Sequence, residues 1–348
     1  MATYYIGADV DSKMTELAAL DHRGVVRWRE RVPTAIPKLV EVLEGKPGSK
    51  CMVIEEGPMA DWLYRNLRSH VAQFVVSDPR RNKLICSDGD KDDRIDAGKL
   101  ADLLRGGYLR QVHHPDSQDR VTLKQWVGLY HDRVREAVRQ INKIRARCRM
   151  YGVRPPRGVL RNAAARAVWL RELSKHPLGG QLAMLFPGLD VVRKQVRQAL
   201  GQMSRLSRGE GIVGYWQALA GVGPVRAITL LAYLDTPWRF GSPKRLWKYC
   251  GVGLVRKTSG SDRQGRPKPG QIQMAWAVNR RLKDAVMGSA ASAIAAGGNV
   301  FADSYHGWVR QGMSVGNARH AVARKMLTVM WGMWKTNSQF RADQVRGV

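Results

Sequence analysis

Residues 4–9 read Tyr-Tyr-Ile-Gly-Ala-Asp, a short run typical of a buried strand that ends on a carboxylate, Asp9. A second run, Cys-Met-Val-Ile at residues 51–54, ends in the same way on Glu55. A carboxylate at the end of a buried strand is costly unless something pairs with it. Asp93 and Asp96 lie one helical turn apart and project from the same helix face. If these ends converge, they form an all-oxygen site suited to Mg²⁺, which assists in-line attack on phosphodiesters.

The pattern around these runs predicts a mixed α/β domain. Strands are expected at residues 4–10, 15–21, 25–32, 52–55 and 73–76, and helices at residues 36–43, 60–71 and 93–104. Three meandering strands followed by alternating helices and strands is the order of a ribonuclease-H-like domain. The resemblance to that arrangement, and not the periodicity, implies that acids of the first strand, the fourth strand and a later helix meet at one point.

The charge of the chain is unevenly distributed. The formal net charge is +29 over 348 residues. Residues 1–110 carry 18 Lys and Arg against 17 Asp and Glu, whereas residues 111–348 carry 40 against 12. A basic surface of this strength attracts polyanions, of which nucleic acid is the usual one. A generally basic soluble protein is the alternative, and the asymmetry argues against it.

Cysteines and hydropathy indicate a reduced, cytoplasmic protein with no membrane partner. The four cysteines are far apart and form no CxxC pair, so neither a zinc site nor a disulfide framework is expected. The N-terminal residues have neither a basic nor an apolar signal region. The stretch 285–302 is free of charge but rich in Ala, Gly and Ser, which favours a tightly packed helix and a turn over a membrane span.

Past residue 115 the sequence predicts helices. Apolar residues recur at spacings of three and four in an a/d stripe: Val127, Tyr130, Val134, Val138, Ile141, Ile144 and Cys148. This helix is expected to pair either with the helical stretch near residues 181–206 or with a second subunit. From the sequence, an intramolecular antiparallel hairpin is at least as plausible as a dimer zipper.

Two further motifs in the basic part point to nucleic acid. Leu-Ala-Gly-Val-Gly-Pro at residues 219–224 resembles the turn of a helix–hairpin–helix, in which Gly221 and Gly223 permit the tight turn and backbone N–H groups hold a phosphate. A plain glycine turn between core helices is the alternative. The loop 256–270 is polar and densely cationic, and Ser259 lies within it. Its cations are expected to contact phosphate: Arg256, Lys257, Arg263, Arg266 and Lys268.

In their order, these motifs resemble the DEDD transposases of insertion-sequence family one-ten, the bridge-RNA-guided serine recombinases. The resemblance rests on Gly-x-Asp near the N-terminus, Glu-x-Gly-Pro after the fourth strand and Asp-x-x-Asp-Ala opening a helix. It continues with Gly-Val-Gly-Pro-x-x-Ala, the Arg-Phe-x-Ser-x-x-x-Leu stretch at residues 239–246, and Ser-Gly in a basic loop. It spans essentially the whole chain.

The resemblance implies site residues and a chemistry. The four acids fall on Asp9, Glu55, Asp93 and Asp96, the nucleophile falls on Ser259, and Asp11, Glu56 and Asp92 are excluded. Ser259 would attack a DNA phosphodiester and become linked to the 5′ phosphate, while Mg²⁺ held by the acids activates the scissile group. Loops of a noncoding bridge RNA would pair with target and donor DNA, so that base pairing supplies the sequence specificity.

The implied organisation has three parts and an oligomer. Residues 1–112 would form the ribonuclease-H-like acidic domain, residues 113–208 a coiled-coil arm, and residues 209–348 a mainly helical transposase domain that carries the helix–hairpin–helix and the serine loop. A homo-oligomer is expected, a dimer or, when active, a tetramer. Two other functions remain open from the residues alone: a Mg-dependent nuclease or junction resolvase that acts by hydrolysis, and a noncatalytic nucleic-acid-packaging protein.

Overall fold

The computed structural model describes residues 2–81, 93–257, 271–274 and 278–342, with the backbone alone at residues 81, 93, 256, 257, 271 and 272. The chain divides into two compact units, Met1–Ser117 and Gln118–Val348. Each has its own hydrophobic core among the described residues. The division of the second unit into an arm and a transposase domain stays a prediction.

The first unit is built on a five-stranded mixed sheet. Its elements are β1 Thr3–Val10, β2 Met14–Leu20, β3 Val26–Pro33, α1 Ile36–Gly45, β4 Ser49–Glu55, α2 Ala60–Leu67, β5 Gln73–Ser77 and α3 Asp93–Arg105. The strand order is β3-β2-β1-β4-β5. β1 pairs antiparallel with β2 and parallel with β4, so it is a central strand. The predicted element order of this unit is therefore confirmed.

The two faces of this sheet have separate cores. Side chains of successive strand residues point to opposite faces. On one face, Ile6, Met52 and Ile54 pack with apolar residues of α1 and α2. On the other face, Val53 and Val75 pack with apolar residues of α3. Asp9 and Glu55 have the same parity as Gly7 and Val53, and therefore belong to the α3 face.

The helix α3 contacts β1 at Gly7. A Cβ atom at Gly7 would lie less than 3.0 Å from both the Ala97 carbonyl oxygen and the Ala101 nitrogen. Real Cβ atoms essentially never come that close to backbone atoms, so only glycine permits this contact. Ala97 and Ala101 are themselves almost fully buried. The backbone of α3 is thus in van der Waals contact with the backbone of the central strand.

The direction of α3 is set by contacts at both of its ends. Arg29 Nη1 donates to the Arg94 carbonyl oxygen at 2.5 Å near the start of the helix. At the other end, the Arg105 guanidinium approaches Gly24 and the His22 carbonyl oxygen in the β2–β3 turn. That turn adjoins the N-terminal end of β1, because Leu20 pairs with Tyr5. Therefore α3 runs antiparallel to β1, and its first turn lies at the edge where β1 and β4 end.

The second unit is mainly helical. Its elements are α4 Gln118–Met150, α5 Ala163–Glu172, α6 Pro177–Leu206, α7 Gly211–Gln217, α8 Pro224–Leu234, α9 Pro243–Tyr249, β6 Leu254–Lys257, β7 Gln271–Met274, α10 Arg280–Ala296, α11 Val300–Arg310 and α12 Val315–Thr336. β6 and β7 form an antiparallel hairpin. The predicted small-residue helix is α10, and Asn299 caps α11 after two glycines with positive φ.

The long helices α4 and α6 pack against each other within one chain. Ile144 and Cys148 near the end of α4 share a core with Leu178 and Leu182 at the start of α6. At the opposite end, Val127 of α4 and Met203 of α6 lie in the large core of the unit. The pairing is therefore antiparallel, which is the intramolecular alternative of the sequence analysis. The middle of the stripe is less covered, and Val138 is 50% exposed.

Cysteine and membrane expectations can be compared with the described residues. Cys51, Cys148 and Cys250 are free. Over the described ranges, no single helix has both the length and the apolarity to cross a membrane, although α10 and α11 meet these criteria together and are bent by 86° at their junction.

We predict that Gly7→Ala destabilises the first unit by about 1–3 kcal/mol, because the added methyl group meets backbone atoms that cannot move individually. The full chain is unfolded in urea, and unfolding is monitored by proteolysis. The fraction unfolded at each urea concentration is taken from the cleavage of peptides within residues 2–81. Gly45→Ala is the matched control, since nothing lies within 4 Å of its Cβ position at the end of α1. Equal stability of Gly7→Ala and the wild type would contradict the close contact.

Candidate active site and nucleic-acid surfaces

A row of polar residues crosses the first sheet at the carboxyl ends of β1 and β4. Asp9 pairs with Glu16 of β2, and Glu16 pairs with Arg31 of β3. On the other side, Glu55 pairs with Ser77 of β5. The last register pair of β1 and β4 is Ala8 with Ile54, so Asp9 and Glu55 follow it side by side. Three carboxylates therefore stand on neighbouring strands on the α3 face of the sheet.

The carboxylates of this row differ in their surroundings. The Glu16 side chain is only 9% exposed, and the Arg31 Nε lies 3.2 Å from its carboxylate. Glu55 is exposed, and Asp9 is half-buried. Like charges on directly paired positions destabilise a sheet. Arg31 offsets this repulsion at Glu16, and carboxylates gathered in this way suit a divalent cation.

The first turn of α3 brings a further carboxylate to the same edge. Asp96 is half-buried and precedes Ala97, whose carbonyl oxygen approaches Gly7. Asp93 is the first residue of α3, and its side chain lies outside the described part of the structure. The structure therefore places Asp9, Glu55 and the α3 turn of Asp93 and Asp96 at one edge of one sheet.

The donor chemistry of this edge fits a hard divalent cation, because carboxylate oxygens are the ligands that Mg²⁺ prefers. Among the side chains that the structure describes, no three His, Cys, Asp or Glu residues lie close enough to form a metal site. The assignment of Asp9, Glu55, Asp93 and Asp96 as metal ligands therefore stays a prediction, supported by strand register, face and helix direction.

The acids that the resemblance excludes have other contacts where they are described. Asp11 is exposed and accepts hydrogen bonds from the backbone N–H of Lys13 and the hydroxyl of Ser12. The bond from Lys13, followed by a backbone interaction with Ser12, holds the pKa of Asp11 below its ordinary value. The Glu56 carboxylate accepts from His114 Nε2 at 2.7 Å. Asp92 lies outside the described residues.

His114 lies between two carboxylates on the α2 side of the sheet. Its Nε2 faces Glu56 Oε2, and its Nδ1 faces Asp61 Oδ1 at 2.5 Å. The His114 side chain is 2% exposed, while those of Glu56 and Asp61 are 39% and 27% exposed. Burial by itself would lower the pKa of His114, but its hydrogen bonds to Asp61 and Glu56 raise that pKa to about 9. At neutral pH, His114 is therefore an imidazolium that donates to both acids.

Sequence reasoning missed Glu16, Arg31 and His114. Glu16 carries a weak signal, since it is a carboxylate inside an otherwise apolar strand. Arg31 is one of several charged residues of β3, and nothing local distinguishes it from the others. His114 stands in a His-His-Pro sequence that marks only the end of the domain. Its partners lie more than 50 residues earlier in the chain.

The turn between α7 and α8 has two glycines with different surroundings. Gly221 has φ +83°, and a Cβ there would lie less than 3.0 Å from backbone atoms of Ser289 and Ala293 in α10. Its lack of a side chain is thus explained by packing. Gly223 is the exposed N-cap of α8, with nothing within 4 Å of its Cβ position. Of the two glycines, only Gly223 has open space beside it.

The predicted serine loop joins the two strands of the β6–β7 hairpin. β6 ends at Lys257, which pairs with Gln271 of β7. The backbones of Arg256 and Lys257 are part of β6. Ser259, Arg263, Arg266 and Lys268 lie outside the described residues. The nucleophile and phosphate contacts of this loop stay predictions.

One segment of the second unit carries cations without acids. Residues 137–171 contain ten Arg and Lys and no Asp or Glu. They comprise the second half of α4, the turn after it and most of α5. Nine of these cations are exposed, and only Arg166 is buried. We call residues 137–171 the arm end, and its electrostatic character is that of a surface for polyanions.

Comparison with known families agrees with this picture. The IS110-type DEDD transposase model, described as Transposase, matches residues 6–151. A second model, described as Transposase IS116/IS110/IS902 family, matches residues 216–306. No curated protein matches the chain. Both matches describe transposases, so the chain is of the class of DNA transposases or recombinases that move insertion sequences.

Within that class, the chain resembles the IS110 family. This is the same family that the sequence motifs indicated, insertion-sequence family one-ten. The two matched regions together cover about two thirds of the chain. A DEDD transposase domain indicates a divalent metal cofactor. A noncatalytic packaging protein has no support from these matches.

The raised pKa of His114 predicts a pH dependence of stability. Its folded-state pKa of about 9 exceeds the ordinary value of 6.5, so its contribution is complete below pH 6.5 and is lost as the pH rises through 9. The loss is on the order of 3 kcal/mol. Urea unfolding between pH 6 and 9.5, monitored by proteolytic cleavage within residues 2–81, measures how the free energy of unfolding of the first unit depends on pH. His114→Gln should remove this part of the pH dependence, and an unchanged profile in that variant would contradict the assignment.

Proposed function

We propose that this transposase cuts and rejoins DNA through a covalent serine–5′-phosphate intermediate at a Mg-dependent site formed by Asp9, Glu55, Asp93 and Asp96 together with Ser259. The observation that carries the proposal is the common edge of the first sheet, where Asp9, Glu55 and the first turn of α3 meet. The two transposase matches, over residues 6–151 and 216–306, support it.

The four carboxylates would hold Mg²⁺, which supplies Lewis-acid activation of the scissile phosphate when bound. Asp9 and Glu55 come from adjacent parallel strands, so the backbone fixes their spacing. Asp93 and Asp96 come from a helix whose position depends on Gly7. The N-terminal end of a helix also favours negative charge, which stabilises carboxylates beside it.

In the proposed covalent step, the Ser259 Oγ attacks phosphorus. A bond forms between Oγ and the 5′ phosphate, and the bond from phosphorus to the 3′ oxygen breaks. The serine proton is lost to a base, and the leaving oxygen takes up a proton to become a 3′ hydroxyl. Cations of the loop 256–270 would stabilise the charge on the phosphate during attack. Rejoining is the reverse reaction with a different 3′ hydroxyl, so no external energy source is required.

The basic second unit would supply nucleic-acid binding. The arm end is acid-free and nine of its ten cations are exposed, and Gly223 leaves the first turn of α8 open to a phosphate. Contacts of this kind attach to the backbone and do not read sequence. Specificity would come from a bridge RNA that pairs with donor and target DNA. The active form would be a homo-oligomer, a dimer or a tetramer.

We predict that Ser259→Ala binds DNA normally but forms no denaturation-resistant protein–DNA adduct. Asp9→Asn should also form none, because it lacks a metal ligand. The measurement is gel electrophoresis of labelled DNA after denaturation. Ser261→Ala is the matched control, as it changes the next serine of the same loop. If subunits share a site, mixing the Ser259 and Asp9 variants should partly restore the adduct.

An undiminished adduct in Ser259→Ala would remove the nucleophile assignment. Mg-dependent cleavage with no adduct in the wild type would favour hydrolysis by the acids alone, as in a nuclease or junction resolvase. Full cleavage activity of wild-type protein in EDTA would exclude the metal-dependent mechanism.

Neutralising the arm end should reduce the salt dependence of nucleic-acid binding. Arg145, Arg147 and Arg149 are exposed on α4, and changing all three to Gln preserves helix propensity. The slope of log K against log salt should become shallower by about 2 to 3, one unit for each lost phosphate contact. Filter binding of duplex DNA and of structured RNA between low and moderate salt measures it.

The matched control for this prediction changes the same number of cations in the first unit. Lys13, Arg23 and Lys38 are exposed there, and their replacement by Gln gives the same net charge. A slope that changes equally in both triple variants would show that total charge, and not the arm end, determines binding.

A further inference from the structure

Consecutive glutamates at the end of β4 belong to opposite sides of the sheet. Glu55 has the parity of Val53 and belongs to the α3 face. Glu56, the next residue, reaches His114 on the α2 side. There, the Tyr64 ring of α2 lies 5.5 Å from the His114 ring. Glu55, the proposed metal ligand, and Glu56, the partner of His114, are therefore adjacent in sequence, and their side chains lie on opposite sides of the sheet.

The backbone between these two glutamates is held from several sides. The Glu56 N–H donates to the Ser77 carbonyl oxygen at 2.9 Å. The Glu56 carboxylate accepts from His114, which also donates to Asp61 in the first turn of α2. Three separate parts of the first unit, the end of β4, the start of α2 and the segment after α3, thus meet at one imidazole ring.

This arrangement fixes a local geometry in addition to contributing to stability. A buried ionic group carries a desolvation cost that often cancels its attraction, and a well-packed apolar side chain can replace it without loss. An ionic cluster provides a fixed geometry, because each of its hydrogen bonds forms only within a narrow range of angles. The geometry fixed here is that of the β4–α2 connection, which begins directly after Glu55.

We infer that His114 is a positioning residue for the proposed metal site: by holding Glu56 and Asp61 on the α2 side, it fixes the backbone at residues 55 and 56 and with it the direction of Glu55. The inference rests on the proposed function. According to this inference, Glu56 supports the metal site through its contact with His114 and is not itself a metal ligand.

The consequence is a requirement for His114 in metal affinity as well as in folding. A ligand whose direction is not fixed loses affinity, and the removal of supporting partners behind a metal site typically costs about 10- to 100-fold. His114 acts through one ligand of the four, so the expected loss is about tenfold.

Mn²⁺ titration of the full chain, followed by the electron paramagnetic resonance signal of free Mn²⁺, tests this without reference to activity. His114→Gln and Glu56→Gln should each weaken Mn²⁺ binding by about tenfold. The double variant should be no weaker than His114→Gln alone, because that variant already removes the contact between residues 56 and 114. A Glu56 that was itself a ligand would instead give a large effect in Glu56→Gln and a small one in His114→Gln.

Asp21→Asn is the matched control for lost stability in the same unit. Asp21 is buried and accepts from the Arg27 guanidinium and from the backbone N–H groups of Arg23 and Val25, in the turn after β2. Its replacement should destabilise the first unit and leave Mn²⁺ affinity at the wild-type value. Circular dichroism at the titration temperature verifies that each variant is folded.

The possible failures are distinguishable. If the wild type binds no Mn²⁺, the proposed metal site is wrong, and the positioning role is lost with it. If the wild type binds Mn²⁺ and both His114→Gln and Glu56→Gln bind it equally well, the inference alone is overturned. Should His114→Gln not fold, Glu56→Gln decides, since it leaves the contact between His114 and Asp61 in place.

Discussion

The close contact between Gly7 and α3 determines the geometry of the acidic edge. A helix whose backbone touches the central strand cannot slide or turn without a collision, since proteins are as densely packed as organic crystals. The contact involves the carbonyl of Ala97 and the nitrogen of Ala101, one helical turn apart. The first turn of α3 is therefore fixed relative to β1 and to β4 beside it. A side chain at Gly7 would separate the helix from the strands that carry Asp9 and Glu55.

A feature of the site could be predicted from the sequence where it depends on residues that are close together in the chain. Asp9, Glu55 and the start of α3 could be recognised from the sequence, because period-two and helical patterns end at those residues. The neighbours of Asp9 could not, because strand register is a property of paired strands. His114 required a third kind of information, the path of the chain after α3. The a/d stripe of α4 was ambiguous for the same reason: tertiary packing, absent from a single helix, decides its partner.

The two units carry opposite electrostatic tasks. The first is almost neutral overall and gathers carboxylates at one edge, whereas the second carries nearly all of the net charge. In the arm end, cations occur without acids. The apolar residues at both ends of the α4 stripe pack within the chain. The cations of the arm end are thus separated in sequence from the four acids of the first unit. A shared surface would be less suitable, since carboxylates next to the binding cations would weaken phosphate attraction.

Carboxylates at the acidic edge also have to be reconciled with a phosphodiester substrate, because both are negative. On the α3 face Arg31 is paired with Glu16, and on the α2 side the His114 imidazolium is paired with Glu56. Glu16 and Glu56 support the edge, and the proposal assigns to a metal the acids Asp9 and Glu55. A divalent cation on the latter would reverse the local sign, removing the repulsion between adjacent strands and attracting phosphate at the same time. The charge pattern of one sheet edge is therefore consistent with a site whose electrostatics are completed by a metal ion.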